Sequence, residues 1–133
     1  MKKLLLLPLL LMVLTSCTQE SDTIPDDTSG DIQGTWQLKA LYVSGVRQSL
    51  SPCRLNQSMV FEQNSVVMVQ PDETGNASCT LSTIKGTFTR TDKNLTIAFN
   101  DENWKIKIKE LTAVKLLILP ENSEEALQYE KAP

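Results

Sequence analysis

The plainest signal in the chain is the alternation of Trp104, Ile106 and Ile108 with Lys105, Lys107 and Lys109. Successive side chains of an extended strand point to opposite faces, so this stretch reads as a strand with one apolar and one wet face. The same period recurs along the chain. The stretch 34–43 places Trp36, Leu38 and Ala40 on one face. Stretches 58–62 and 65–70 flank Gln63-Asn64 and read as a hairpin. Stretch 81–90 holds Ile84 and Phe88, and Thr91-Asp92-Lys93-Asn94 turns it into 95–99. There Leu95, Ile97 and Phe99 alternate with Thr96 and Ala98. After a turn at 100–103 comes the Trp104 strand, then a run at 114–119 that reads as buried and stops at Pro120, then a closing strand at 126–131. No helix-period stretch competes. The segment 44–57 is irregular, with room for one short turn of helix.

These runs predict an all-β fold, an antiparallel meander of about eight strands with tight turns. Such a meander has to manage its edges, and closing into a barrel removes them. An eight-strand barrel is just wide enough inside for side chains or for one small ligand. The length of 133 residues allows one such domain, assigned to 34–133. Upstream, 18–33 is polar, acidic and nearly free of apolar residues. It cannot bury enough surface to order itself, so 17–33 reads as a flexible tether.

Charge sharpens that division. Five of the 16 acids are Glu20, Asp22, Asp26, Asp27 and Asp31, and two of the 13 bases are Lys2 and Lys3, which leaves eleven of each from Gly34 onward. The acidity belongs to the tether and the barrel is balanced. A balanced body without a Lys/Arg cluster argues against nucleic acid, whose binding rests on many phosphate contacts. The chain has no His. That removes the commonest general base and the commonest metal ligand. No Ser or Lys sits in a recognisable nucleophile motif. The reading is therefore no catalytic site, no metal and no cofactor.

The first residues carry a different signal. Lys2 and Lys3 precede an apolar run at 4–14, broken by Pro8. A bilayer span takes about 20 residues, so this run suits a secretory leader instead. It is followed by Leu14-Thr15-Ser16-Cys17, an apolar residue, two small residues and a Cys. This matches a lipobox. Small residues let the signal peptidase reach the bond, and the Cys sulfur takes the diacylglyceryl group. The reading makes 1–16 a lipoprotein signal peptide and Cys17 the lipidated first residue, carrying acyl chains such as palmitate. Each buried CH₂ contributes about 0.8 kcal/mol, so several chains hold the protein in the membrane. The alternative is an ordinary secretory leader followed by an unrelated Cys.

Ordered pieces across the chain then resemble a known family. Gly34-Thr35-Trp36 opens the first strand like the Gly-x-Trp signature of lipocalins. The wider layout resembles the lipocalin-like domain of Bacteroidetes lipoproteins. It runs from the lipobox and acidic spacer through Ile32-Gln33-Gly34-Thr35-Trp36, Cys53, Phe61 and Cys79. It continues with Lys85-Gly86-Thr87-Phe88, Asn94-Leu95-Thr96-Ile97 and Ile108-Lys109-Glu110-Leu111-Thr112 before a Leu-rich strand, covering 32–120. The resemblance implies a lipocalin-like barrel with Trp36 plugging its closed base and Gly34 allowing close approach. Two marks of lipocalins proper are missing, a Thr-Asp-Tyr motif and an Arg near the last strand that packs over the Trp. Lys131 is the only base near that position. A particular hydrophobic ligand is therefore not carried over.

With Cys17 lipidated, Cys53 and Cys79 remain. Even parity, a location outside the cytoplasm and the family layout together favour a Cys53–Cys79 disulfide, against two free buried thiols. Residues 19–22, Gln-Glu-Ser-Asp, are similar to the surface-export signal of that bacterial group. Asp22-Thr23-Ile24 matches its O-glycosylation pattern, with Thr23 as acceptor. For both, a solvated linker is the alternative. Asn56, Asn76 and Asn94 head sequons that a lipobox, implying bacteria, renders unused. Asp72-Glu73 and Asp101-Glu102 are acidic pairs in turns, where carboxylates are ordinarily just solvated. Met59 and Met68 suit a core or a pocket wall.

The function that follows is a monomeric binding module for a small apolar ligand, anchored in the outer membrane of the cell envelope through Cys17. The alternative is a structural or protein-interaction module, inhibitor-like, with a filled barrel and an envelope protein as partner. The barrel interior discriminates: an empty lumen above about 300 Å³ favours a ligand. Leu, Ile, Phe and Trp at inward positions lean towards a filled core. The loops 44–57 and 71–78, pinned by the disulfide, are the expected functional end.

Overall fold

The computed structural model describes residues 27–72 and 79–133. Cys17, Thr23, the leader and the 19–22 run lie outside the described residues. Among the described residues nine antiparallel strands form one sheet: β1 (Gly34–Val43), β2 (Val46–Gln48), β3 (Ser58–Glu62), β4 (Ser65–Asp72), β5 (Thr80–Thr91), β6 (Asn94–Phe99), β7 (Glu102–Leu111), β8 (Lys115–Pro120) and β9 (Glu125–Lys131). Strands β3 to β9 follow one another in order, and β9 returns to pair with β1. The sheet thus closes into a barrel of eight strands, with β2 as an extra strand at one end. The only helical element among the described residues is a 3-10 turn at Arg54–Asn56.

Alternation places the core as the sequence predicts. Trp36, Leu38, Met59, Phe61, Val66, Met68, Leu95, Ile97, Ile106, Ile108 and Ile118 face inward and are buried, while Lys105, Lys107 and Lys109 are exposed. Strict alternation would turn Leu111 outward after Ile108. A register shift between Ile108 and Glu110 inserts one extra residue. The bulge returns Leu111 to the core and leaves Glu110 outside, where it pairs with Lys115 at 2.9 Å. A second shift lies between Leu38 and Ala40 on β1. Bulges bend strands and add twist, which helps the sheet close.

Strand β2 is absent from the sequence reading, which left 44–57 irregular. Its signal was a two-residue hairpin turn. Val43 pairs with Val46, and Ser44 and Gly45 both take positive φ, at 49° and 81°. A turn of that hand matches strand twist, and Gly45 adopts it without a Cβ penalty. The short helical turn expected in the same segment is present at Arg54–Asn56.

The barrel's packing also begins earlier than Gly34. The spacer assigned to 17–33 ends in seven residues that lie against the barrel base. Gly30 N donates to Leu111 O (2.9 Å) and Leu111 N donates to Asp27 O (2.6 Å). Arg90 donates through Nη1 to Gly30 O (3.0 Å) and through Nη2 to Thr28 O (2.6 Å). The Gln33 amide clasps Gln63 in both directions, donating to its carbonyl (3.0 Å) and accepting from its N–H (2.7 Å). Ile32 is buried. Composition marks this arm as disordered, but composition does not see side chains on other strands that satisfy its backbone.

Candidate functional site

The two ends of the barrel are built differently. At the base, Trp36 is fully buried and its indole Nε1 donates to Ile32 O (2.7 Å), so the arm and the plug hold each other. Phe61 and Phe88 pack edge to face there, centroids 4.9 Å apart. Lys131, the base noted where lipocalins carry an Arg, places Nζ 5.2 Å from the Trp36 ring centroid. That is within cation–π range. Gly34 explains how it fits. Its φ is +121°, and a Cβ there would lie 2.7 Å from Lys131 Cε. The Gly-x-Trp signature therefore clears the path by which a cation covers the indole. The base is sealed.

The opposite end is hollow. A cavity of about 560 Å³ opens between β3, β4, β7, β8 and β9 and the 3-10 turn. Its apolar wall is Met59, Met68, Trp104, Ile106, Ile118 and Leu127. Both Met residues thus serve as core and as pocket wall, a role suited to an unbranched, polarizable side chain. The expectation of a filled core holds only for the lower half of the barrel. Inward Leu, Ile and Phe residues fill the base, and nothing fills the mouth among the described residues.

One side of the cavity is polar, a feature the sequence did not single out. Gln57, buried, donates through Nε2 to the Tyr129 hydroxyl (2.7 Å). Arg54 lines the same space. Its Nε is closed off from solvent and has no hydrogen-bond partner among the described residues. Three constraints hold Arg54 in place. Its backbone N–H donates to Ser51 Oγ (3.1 Å). Gln37 Nε2 donates to the carbonyls of Leu55 and of Gln57, the latter at 3.0 Å. Its neighbour Cys53 is bonded to Cys79, Cα atoms 5.4 Å apart. The expected disulfide is therefore present and pins β5's entry to the loop that carries Arg54. Lys105 and Glu121 sit exposed at the rim with opposite charges. Among the described residues no group of three His, Cys, Asp or Glu gathers as a metal set would. Glu102, from one of the acidic turn pairs, accepts from Trp104 Nε1 (3.3 Å).

Burial pushes the Tyr129 hydroxyl up to about 12, against the Gln57 hydrogen bond and the Arg54 charge, which both pull it down. The folded value stands above the ordinary value of about 10. The neutral phenol is thus favoured by the fold, and its contribution is complete below pH 10 and lost as pH rises from 10 towards 12. In urea titrations the wild type should lose about 2 to 3 kcal/mol across that window. Tyr129→Phe should not lose that increment. Parallel slopes for the two proteins would show that Tyr129 is not buried as described.

The comparisons with known proteins agree with this geometry. A family model described as a lipocalin-like domain matches residues 32–118. A lipocalin-like protein from Bacteroides uniformis has a similar solved structure, with 17% identity and a TM-score of 0.59 over 77% of this chain and 100% of that one. An uncharacterized protein from Bacteroides eggerthii matches with 16% identity and a TM-score of 0.58, over the same shares of each chain. No curated protein matches the chain. At those identities the solved structures speak for the fold, and the family rests on the matched residues from Ile32, against Trp36, to Ile118 in the cavity wall. The chain belongs to the lipocalin-like domain family.

Proposed function

We propose that the protein is a membrane-anchored envelope lipoprotein whose barrel mouth holds a small, largely apolar ligand without chemical change. The observation that carries this reading is the cavity of about 560 Å³, in whose lining Met59, Met68, Ile106 and Ile118 form an apolar part beside polar side chains. That volume lies within the range of small-molecule sites, about 300–1,000 Å³. Tyr129 in the wall stays protonated near neutral pH. Attachment through Cys17 would hold the barrel at the outer membrane on the spacer that follows it.

Fluorescence tests the ligand. Trp104 lines the cavity and Trp36 is sealed in the base. A panel of lipids and apolar dyes should change the emission of the purified protein, and Trp104→Phe should remove most of the response. Silence across the panel would leave the interaction-module reading in the lead. Labelling with a radioactive fatty acid tests the anchor: Cys17→Ala should carry no label, and equal labelling would end the lipoprotein reading.

A further inference from the structure

Closing the sheet does not remove every strand edge. Strand β5 pairs with β4 from Thr80 to Thr87 but with β6 only from Thr87 to Thr91. Strand β6 ends at Phe99, so 80–85 runs past it towards the mouth, unpaired on that side among the described residues. The ladder shows which backbone groups are left over. Phe88 N donates to Asn64 O on the β4 side (2.9 Å). Hydrogen-bonded residues alternate along an antiparallel strand. Even-numbered residues of β5 therefore turn their N–H and C=O to β4, and odd-numbered ones turn theirs the other way. Thr87 and Thr89 meet Ala98 and Thr96 of β6 there. Leu81 and Thr83 meet no backbone group among the described residues. Thr80 to Thr83 are all exposed, and Leu81, in the middle of the edge, is 51% exposed. The β6 register puts Lys85 level with Asn100, in the turn that follows β6, which limits the open edge to 79–83. An exposed edge carrying an apolar side chain is a template for another strand.

We propose that this edge pairs with the same edge of a second copy, antiparallel, about a two-fold axis at Leu81. The register closes on itself. With Leu81 against Leu81 of the second copy, Thr83 falls against Cys79 and Cys79 against Thr83, so the outward N–H and C=O groups of the stretch meet one another. The exposed leucine is covered by its own counterpart. Like charges do not oppose each other, because Lys85 lies beyond the paired stretch. The Cys53–Cys79 bond fixes the start of the edge before pairing. A two-fold uses the edge of both copies at once, so association stops at two. The pairing is independent of what the mouth holds and departs from the monomer expected from the sequence.

Charge exchange at the axis tests it. Leu81→Lys and Leu81→Glu alter an exposed side chain, so neither should shift urea unfolding beyond the small effect of a surface substitution. Sedimentation velocity of the full chain in detergent, from about 1 µM to 1 mM, covers the range in which small interfaces associate. The wild type should double in mass across it. Each variant alone should stay monomeric, since like charges then face each other across the axis. An equimolar mixture of the two should recover the dimer, because Lys then faces Glu. Thr83→Pro should also stay monomeric, because it removes an N–H that faces away from β4 and leaves that ladder intact. A wild type that stays monomeric throughout, a dimer that survives in any of the three variants, or a charge mixture that fails to recover it would each overturn the pairing.

Discussion

Trp36→Ala should destabilise the barrel by about 3–5 kcal/mol, the cost of removing a fully buried aromatic side chain from a packed core. The indole is fully buried, and two separate contacts disappear with it. The Ile32 carbonyl loses its donor, Lys131 loses the ring beneath its ammonium, and the base opens a void. The surroundings cannot collapse to fill that void easily, because Gly34 and the closed strands around it are fixed by the barrel's register. Trp36→Phe keeps a ring and forfeits the hydrogen bond, so it should cost less, about 1–3 kcal/mol. Urea unfolding of the three proteins measures both steps. A loss below about 1 kcal/mol for the alanine variant would mean that the plug is dispensable to the fold.

Removing the Cys53–Cys79 bond, by the double change Cys53→Ser and Cys79→Ser, should cost about 3.5 kcal/mol. The two residues are 26 apart in sequence. In the chain-entropy model a loop of that size loses about this much freedom in the unfolded chain. The effect on the mouth should exceed the effect on the base. Cys53 immediately precedes the 3-10 turn at Arg54–Asn56, and Asn56 Nδ2 also reaches Cys79 Sγ at 3.6 Å. Without the bond, the turn keeps Gln37 and Ser51 but loses its tether to β5. Hydrogen exchange should therefore quicken first in the loop between β2 and β3, with the Trp36 end unchanged until global unfolding. Uniform acceleration throughout the barrel would show that the bond acts only on global stability.

Much of the architecture was legible because it depends on local, repeating chemistry. Period-two alternation with turn residues between runs located eight of the nine strands. The missing one, β2, has three residues and no apolar alternation, so only Ser44-Gly45 could have announced it. The arm 27–33 was read as tether because its own composition is polar. Its order comes from Arg90, Gln63 and Leu111, which are far away in sequence and supply the hydrogen bonds that it cannot make itself. Lys131 illustrates the same point in reverse. The sequence registers a missing Arg, and only the closed barrel brings Lys131 across to Trp36. The polar group in the mouth was the largest omission. Arg54, Gln57 and Tyr129 come from two separate stretches, with Gln57 and Tyr129 separated by 72 residues, and no spacing links them.

From the sequence alone came the all-β class, the barrel, the core-facing residues, the signature at Gly34 and Trp36 and the pairing of the two cysteines. The class, the barrel and the core-facing residues are matters of side-chain period and turn chemistry, which a chain carries in its order, while the signature and, together with parity, the cysteine pairing came from the family resemblance. Tertiary structure alone decided whether the barrel was full or hollow. That depends on how eight inward faces sum in volume at each level, and the sum leaves the base packed and about 560 Å³ open at the mouth. It also decided that Arg54 and a buried phenol would line that space, because closure of β9 onto β1 sets Tyr129 beside a loop fixed by a disulfide and a glutamine.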